Sequence, residues 1–184
     1  IDGTFSETGF TQIVLGDDVG GTGTATITGA GSQLIVEGGQ NSQITVGDLG
    51  DGELFIENGG HASAEIVIVA RQAGGSGLLD IRGEQSRVEV KDEDADGKGL
   101  LLVGVDFDFE AGGFSGGGQA DVAVGNGGVL DVGADFEDGI ADIIIGDDDR
   151  LTVEERGTLI GDVQIIGGGT FELADGATHF GDVL

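Results

Sequence analysis

The chain contains no cysteine, proline, methionine, tryptophan or tyrosine, and only 7 lysines and arginines stand against 35 aspartates and glutamates. Each scarcity excludes something. Without cysteine there is no disulfide framework, no Cys-ligated zinc and no thiol chemistry, although secreted proteins without cystine exist, so compartment is left open. A formal charge of -28 offers no basic face to neutralise phosphates, which argues against nucleic acid as a partner. An anionic membrane surface would repel the same chain. No apolar run approaches the roughly 18 residues of a spanning helix, so no membrane insertion by this segment is expected. With no methionine, Ile1 is not a translational start, and residues 1–184 read as a single domain that is a fragment or processed piece of a longer secreted protein.

What is abundant is glycine, 40 residues, together with 38% hydrophobic residues arranged as short runs of Val, Ile, Leu and Ala. Such runs need burial and speak against disorder. They recur. Residues 21 to 36, GTGTATITGAGSQLIV, align without a gap to residues 75 to 90, GSGLLDIRGEQSRVEV, at a shift of 54. Identities fall at Gly21/Gly75, Gly23/Gly77, Ile27/Ile81, Gly29/Gly83, Ser32/Ser86 and Val36/Val90. A related unit lies between the copies, from Ile44 to Gly60. Shorter echoes follow in Val122–Val132, Ile143–Val153 and Ile165–Leu173.

Within Thr24–Thr28, Leu54–Ile56 and Val129–Val132 the apolar period is two, the signature of strands, and no stretch sustains a helical period. Branched side chains suit a pleated surface, and glycine turns the corners. Apolar triplets spaced on the order of 20 residues match one coil of a solenoid. The predicted fold is all-β: a right-handed parallel β-helix of roughly nine coils, about 40 Å long, with no substantial helix. An antiparallel sandwich uses similar strands but does not predict a gapless 54-residue duplication.

The segments GTGTATITGAGSQLIVEGG and ITVGDLGDGELFIENGG resemble the Gly-rich β-helix repeats of bacterial autotransporter passenger domains and related surface proteins. The resemblance covers residues 11 to 90; beyond Lys91 isolated strand-Gly units continue. It implies a secreted β-helical stalk, extracellular or at the bacterial cell surface, with an adhesive or architectural role and no catalytic residues.

The sharpest local motif is Asp92-Glu-Asp-Ala-Asp-Gly97. Carboxylates at Asp92, Asp94 and Asp96 converge on a hard cation when the glycine turns the chain, making this a candidate calcium loop. It is not an EF-hand, because Val103 occupies the twelfth position and a strand precedes it. The loop carries three extra residues relative to its sister repeat, since Val36 to Gly47 is 11 steps and Val90 to Gly104 is 14. A solvated acidic loop is the alternative. Other acidic clusters are Asp17-Asp18, Asp48 with Asp51, Asp106 to Glu110, and Asp147 to Asp149. Alternation directs Phe107 and Phe109 to the core and Asp106, Asp108 and Glu110 to solvent. Gly116 to Val122 is similar to one calcium β-roll repeat, broken at Gln119.

Five of the seven basic residues lie between Arg71 and Lys98. Arg82, Arg87 and Lys91 project outward beside Asp80 and Glu89, where ion pairing across strands or coils is expected. His61 and His179 lack a metal-spaced partner and read as surface turn residues. The threonines at 22, 24, 26 and 28 form no lattice that the next repeat maintains, which removes ice binding. Parallel β-helices include polysaccharide-cleaving enzymes, but acids are so numerous here that any paired-carboxylate template is met by chance. The expected function is therefore non-enzymatic: a rigid acidic stalk or adhesive module with a candidate calcium loop, whose partner is a surface ligand or a second copy. The alternatives are a filament or surface-layer subunit stacking through open solenoid ends, and a carbohydrate-active enzyme.

Overall fold

The computed structural model describes residues 11–37, 42–91, 99–108, 113–133 and 142–184, and among these there is no helix. Among the described residues the chain winds through a triangular coil six times. The first coil is β1 (Gln12–Leu15), β2 (Thr22–Thr28) and β3 (Gln33–Ile35). The second is β4 (Gln43–Val46), β5 (Asp51–Glu57) and β6 (His61–Ala64), and the third is β7 (Ile66–Val69), β8 (Ser76–Arg82) and β9 (Arg87–Val90). The fourth begins with β10 (Leu100–Val103), detours through β11 (Val105–Asp108) and β12 (Gly113–Gly116), and closes with β13 (Gln119–Gly125) and β14 (Val129–Val132). Then come β15 (Ile143–Ile145), β16 (Arg150–Val153) and β17 (Thr158–Ile160), and finally β18 (Val163–Ile165), β19 (Thr170–Leu173) and β20 (Thr178–Phe180). Each side of the triangle is a parallel six-stranded sheet: β1-β4-β7-β10-β15-β18, β2-β5-β8-β13-β16-β19 and β3-β6-β9-β14-β17-β20. This is a parallel β-helix, as the repeat predicts.

The described residues make six coils rather than roughly nine. Apolar triplets mark strands, and each coil has three, so triplet spacing understates the coil. Register partners Gln12, Gln43 and Ile66 are separated by 31 and then 23 residues, and Leu101 pairs with Ile143 across 42. At the spacing of paired strands the stack is about 24 Å from first coil to last.

The 54-residue duplication is a two-coil period. Thr22 pairs with Asp51 and Asp51 with Ser76; Gln33 pairs with His61 and His61 with Arg87. The reason is an alternation of corner types. In the first and third coils Ser32 and Ser86 each donate from Oγ to a carbonyl four residues back, on Thr28 and Arg82, both at 2.7 Å. The second and fourth coils turn instead through Asn58-Gly59-Gly60 and Asn126-Gly127-Gly128, with Asn φ of 51° and 53°, a left-handed conformation that asparagine tolerates better than most residues. The two forms interlock, since Gly59 N–H donates to Ser86 Oγ at 3.0 Å.

Inward residues stack in columns. One runs Ala25, Leu54, Leu79, Val122, Leu151, Phe171, and another Leu34, Ala62, Val88, Leu130, Leu159, His179. One apolar cluster links them from end to end. Truncating a fully buried member such as Leu54 to alanine removes about 2–5 kcal/mol. Where the first two sheets meet, the second glycine of each Gly-x-Gly is required by close approach: a Cβ on Gly52 would overlap the amide nitrogen of Gly47 and lie 2.7 Å from the carbonyl of Leu15.

The first sheet departs from in-out alternation. Val67, Val69, Leu101, Val103, Ile143 and Ile145 face the solenoid interior, while Ile66, Ile68, Leu100, Leu102 and Ile144 face the other way and are equally buried, in a second cluster with Val105 and Phe107. The antiparallel hairpin β11–β12 contributes to that outer layer, with the rings of Phe107 and Phe114 centred 5.0 Å apart. Phe107 is thus buried as expected, but outside the triangle; Phe109 lies outside the described residues.

From Asp142 onward the period is a constant 20. Ile143 pairs with Val163, Arg150 with Thr170, Thr158 with Thr178, and Val163 with Val183. At the head of each coil an aspartate accepts the next one's N–H: Asp142 Oδ2 from Asp162 at 2.8 Å, and Asp162 Oδ1 from Asp182 at 2.7 Å.

Candidate functional site

The candidate calcium ligands Asp92, Asp94 and Asp96 lie outside the described residues. Among the described residues, no group of three or more His, Cys, Asp or Glu side chains is arranged to hold a metal. The other acidic clusters separate by role. Asp17 and Asp18 are exposed. Asp48 is buried and accepts from Gln72 Nε2 at 2.9 Å, while Asp51 accepts from Ser76 Oγ at 2.7 Å. Asp106 stands 3.4 Å from Arg71.

Arg82, Arg87 and Lys91 pair with acids, as their outward positions predict. Lys91 Nζ is 3.2 Å from Glu89, and Arg87 bridges Glu89 at 2.6 Å and Asp131 on the next coil. Two pairs span a whole coil. Arg82, on the third coil, holds Asp80 at 2.6 Å and reaches Glu154 on the fifth at 3.1 Å. Arg156 on the fifth coil returns to Glu84 on the third at 2.8 Å. The intervening positions on the fourth coil are glycines, and this explains the reach: a Cβ on Gly125 would lie 2.7 Å from Glu154 Oε2, and one on Gly127 would lie 3.2 Å from Glu84 Cγ. The hydrogen bond that Arg82 donates to Asp80, then the charges of Asp80 and Glu154, hold the Arg82 guanidinium above the ordinary arginine range against the effect of burial. Nothing in the local sequence signals these clamps, because their partners are 72 residues apart.

The histidines also differ from the turn positions expected of them. His61 begins β6, partly exposed, 3.5 Å from Glu89. His179 occupies an inward column, its Nε2 2.9 Å from the Gly161 carbonyl and its ring edge-on to Phe171 at 5.3 Å. Stacking under Leu159 puts it there, which local turn chemistry does not reveal.

The least ordinary group is Asp149. In the sequence it is one of three consecutive acids, Asp147–Asp149, yet it is 2% exposed while its two neighbours are exposed. Its Oδ1 accepts the N–H of Ala120 at 2.7 Å, and its buried Oδ2 has no hydrogen-bond partner. Burial first, and the charges of Asp148 and Asp147 next, push its carboxyl up to about 6, against the opposing effect of the Ala120 bond.

The geometry defines an acidic parallel β-helix with cross-coil ion-pair clamps and one buried carboxyl. No family model matches the chain, no curated protein matches it, and no solved structure does so either.

Proposed function

We propose that the chain is a non-enzymatic structural or adhesive module of a bacterial cell-surface protein, a stiff acidic spacer in which stacked coils set length. The observation that carries this reading is the single apolar core running through every coil in register, reinforced on the outside by clamps that skip a coil. A stack in which each coil is held by both neighbours transmits load along its axis and resists bending. The resemblance of residues 11 to 90 to autotransporter passenger repeats supports an extracellular setting, and calcium at Asp92, Asp94 and Asp96 belongs to the same reading. Dye pairs on the first and last coils test the spacer role. Inserting one more 54-residue unit should lengthen the separation by about 10 Å, two strand spacings; an unchanged separation overturns the role. Retention of chain-coated beads on cell or polysaccharide surfaces tests adhesion, and no retention leaves a spacer alone.

End-to-end stacking of copies is a second reading. On the sixth coil Leu173 is 51% and Phe180 60% exposed, an apolar surface that a further coil, of this protein or of a second copy, would cover through parallel pairing. Concentration-dependent filaments by negative-stain microscopy would support it, and a monomer at high concentration would retire it.

A further inference from the structure

We propose that Asp149 is a proton-operated latch between the fourth and fifth coils, closed when its carboxyl is neutral and loosened when it ionises. Asp149 stands in a column of very small residues. Continuing the registers of β2, β5, β8, β13, β16 and β19, the stacked positions are Gly23, Gly52, Gly77, Ala120, Asp149 and Gly169. Five are Gly or Ala because the corner between the first two sheets leaves no space for a side chain. The sixth is an acid. Room for it comes from the coil before, where Gly104 turns the chain: any Cβ there would overlap the Asp149 carboxylate. Gly146 leaves the adjoining space open, since a Cβ on it would lie 3.0 Å from Asp149 Oδ2 and 2.7 Å from the Gly104 carbonyl.

The carboxyl therefore sits at the junction itself, joined to the fourth coil through the Ala120 N–H. Its own carbonyl accepts Thr170 N–H from the sixth coil at 2.8 Å. One oxygen is satisfied and the other is sealed from water without a donor. No cation faces it among the described residues. On its own corner are Asp147 and Asp148; on the fourth coil Asp106 is engaged by Arg71, and Asp121 projects to solvent, as does Arg150 beside it. On the sixth coil Gly168, Gly169 and Thr170 carry no charge, and Gly168 N–H is held by Asp147 Oδ1 at 2.6 Å. Ionisation puts an uncompensated charge at a closed seam, next to two like charges, and opening the seam hydrates it. The neutral acid keeps the Ala120 bond without that penalty.

The sign follows from linkage. The closed seam binds the proton more tightly than the opened one, so closure is favoured as pH falls through about 6 toward 4 and is weakest above 6. This holds whether or not the chain serves as a spacer.

Hydrogen exchange on the whole chain tests it. The protection of the Ala120 amide, corrected for the intrinsic exchange rate, should fall about 100-fold between pH 4 and pH 7, while Asp149→Asn should remove that slope and leave Ala120 protected throughout. A second reading needs no variant: the Asp149 carboxyl carbon, followed by NMR, should titrate near 6. Titration near 4, or an Ala120 slope unchanged in Asp149→Asn, overturns the latch.

Discussion

The first three coils and the last two solve the same stacking problem by different routes. In the first, sequence likeness is strong but the unit is two coils, because a Ser-closed corner alternates with an Asn-Gly-Gly corner. In the last, likeness to the earlier repeats has faded, yet all three sheets advance by a uniform 20 residues under a ladder of aspartates. Structural regularity and sequence similarity are thus separate quantities. What recurs in both is the placement of inward apolar residues and of backbone at the corners.

Substitutions can break that comparison. The largest contrast should come from glycines. Gly52→Ala sets a methyl into the backbone of Gly47 and Leu15 and should destabilise by about 3 kcal/mol or more, whereas Gly168→Ala meets only the rotatable carboxylate of Asp147, at 2.6 Å, and should stay below about 1 kcal/mol. Urea unfolding measures both. Gly169 is the register equivalent of Gly52, and a Cβ on it would lie 2.3 Å from the Gly146 carbonyl, so Gly169→Ala should lose as much as Gly52→Ala; a loss as small as that of Gly168→Ala would mean that the last coil lacks this close approach. Next is the ladder. Asp142→Ala leaves the N–H of Asp162 without its carboxylate and should remove about 1–2 kcal/mol. Gln12 and Gln43, which stand at that position in the first coils, should tolerate alanine better.

Calcium sharpens the comparison through the loop that in sequence follows the first three coils. At tenfold excess over its Kd the ion should stabilise the chain by about 1.4 kcal/mol, read as a rise in Tm that vanishes in Asp92→Ala with Asp94→Ala. No shift at millimolar calcium would retire that loop. Smallest are the clamps that tie the third coil to the fifth. A double-mutant cycle on Arg82 and Glu154 should give a coupling of about 0.5 kcal/mol that fades in 1 M salt, as expected for partly exposed pairs; a coupling that salt leaves unchanged would mean a more buried contact than the structure has.

How much of this was legible follows from the range of each interaction. The strand period, the glycine corners and the parallel stacking were readable because residues 21 to 36 and 75 to 90 repeat locally. The coil count was not, since triplets on all three sides look alike. Runs such as Ile66–Val69 and Leu100–Val103 do carry a signal of the outer layer, since unbroken apolar strands are covered on both faces, here with the help of β11–β12. His179 and Asp149 were invisible for a different reason. Their surroundings are built by neighbouring coils, Leu159 above one and Gly104 and Ala120 beside the other, and no local pattern encodes them.

The central claim is that one outward column climbs the stack in equal steps. Spin labels paired between Thr24 and, in turn, Asp121, Arg150 and Thr170 measure it directly by pulsed electron resonance, since register links these positions through successive coils. The backbone separations should rise as about 14, 19 and 24 Å, one strand spacing per coil. Separations that fail to increase along that series, or that change order, would contradict the β-helix.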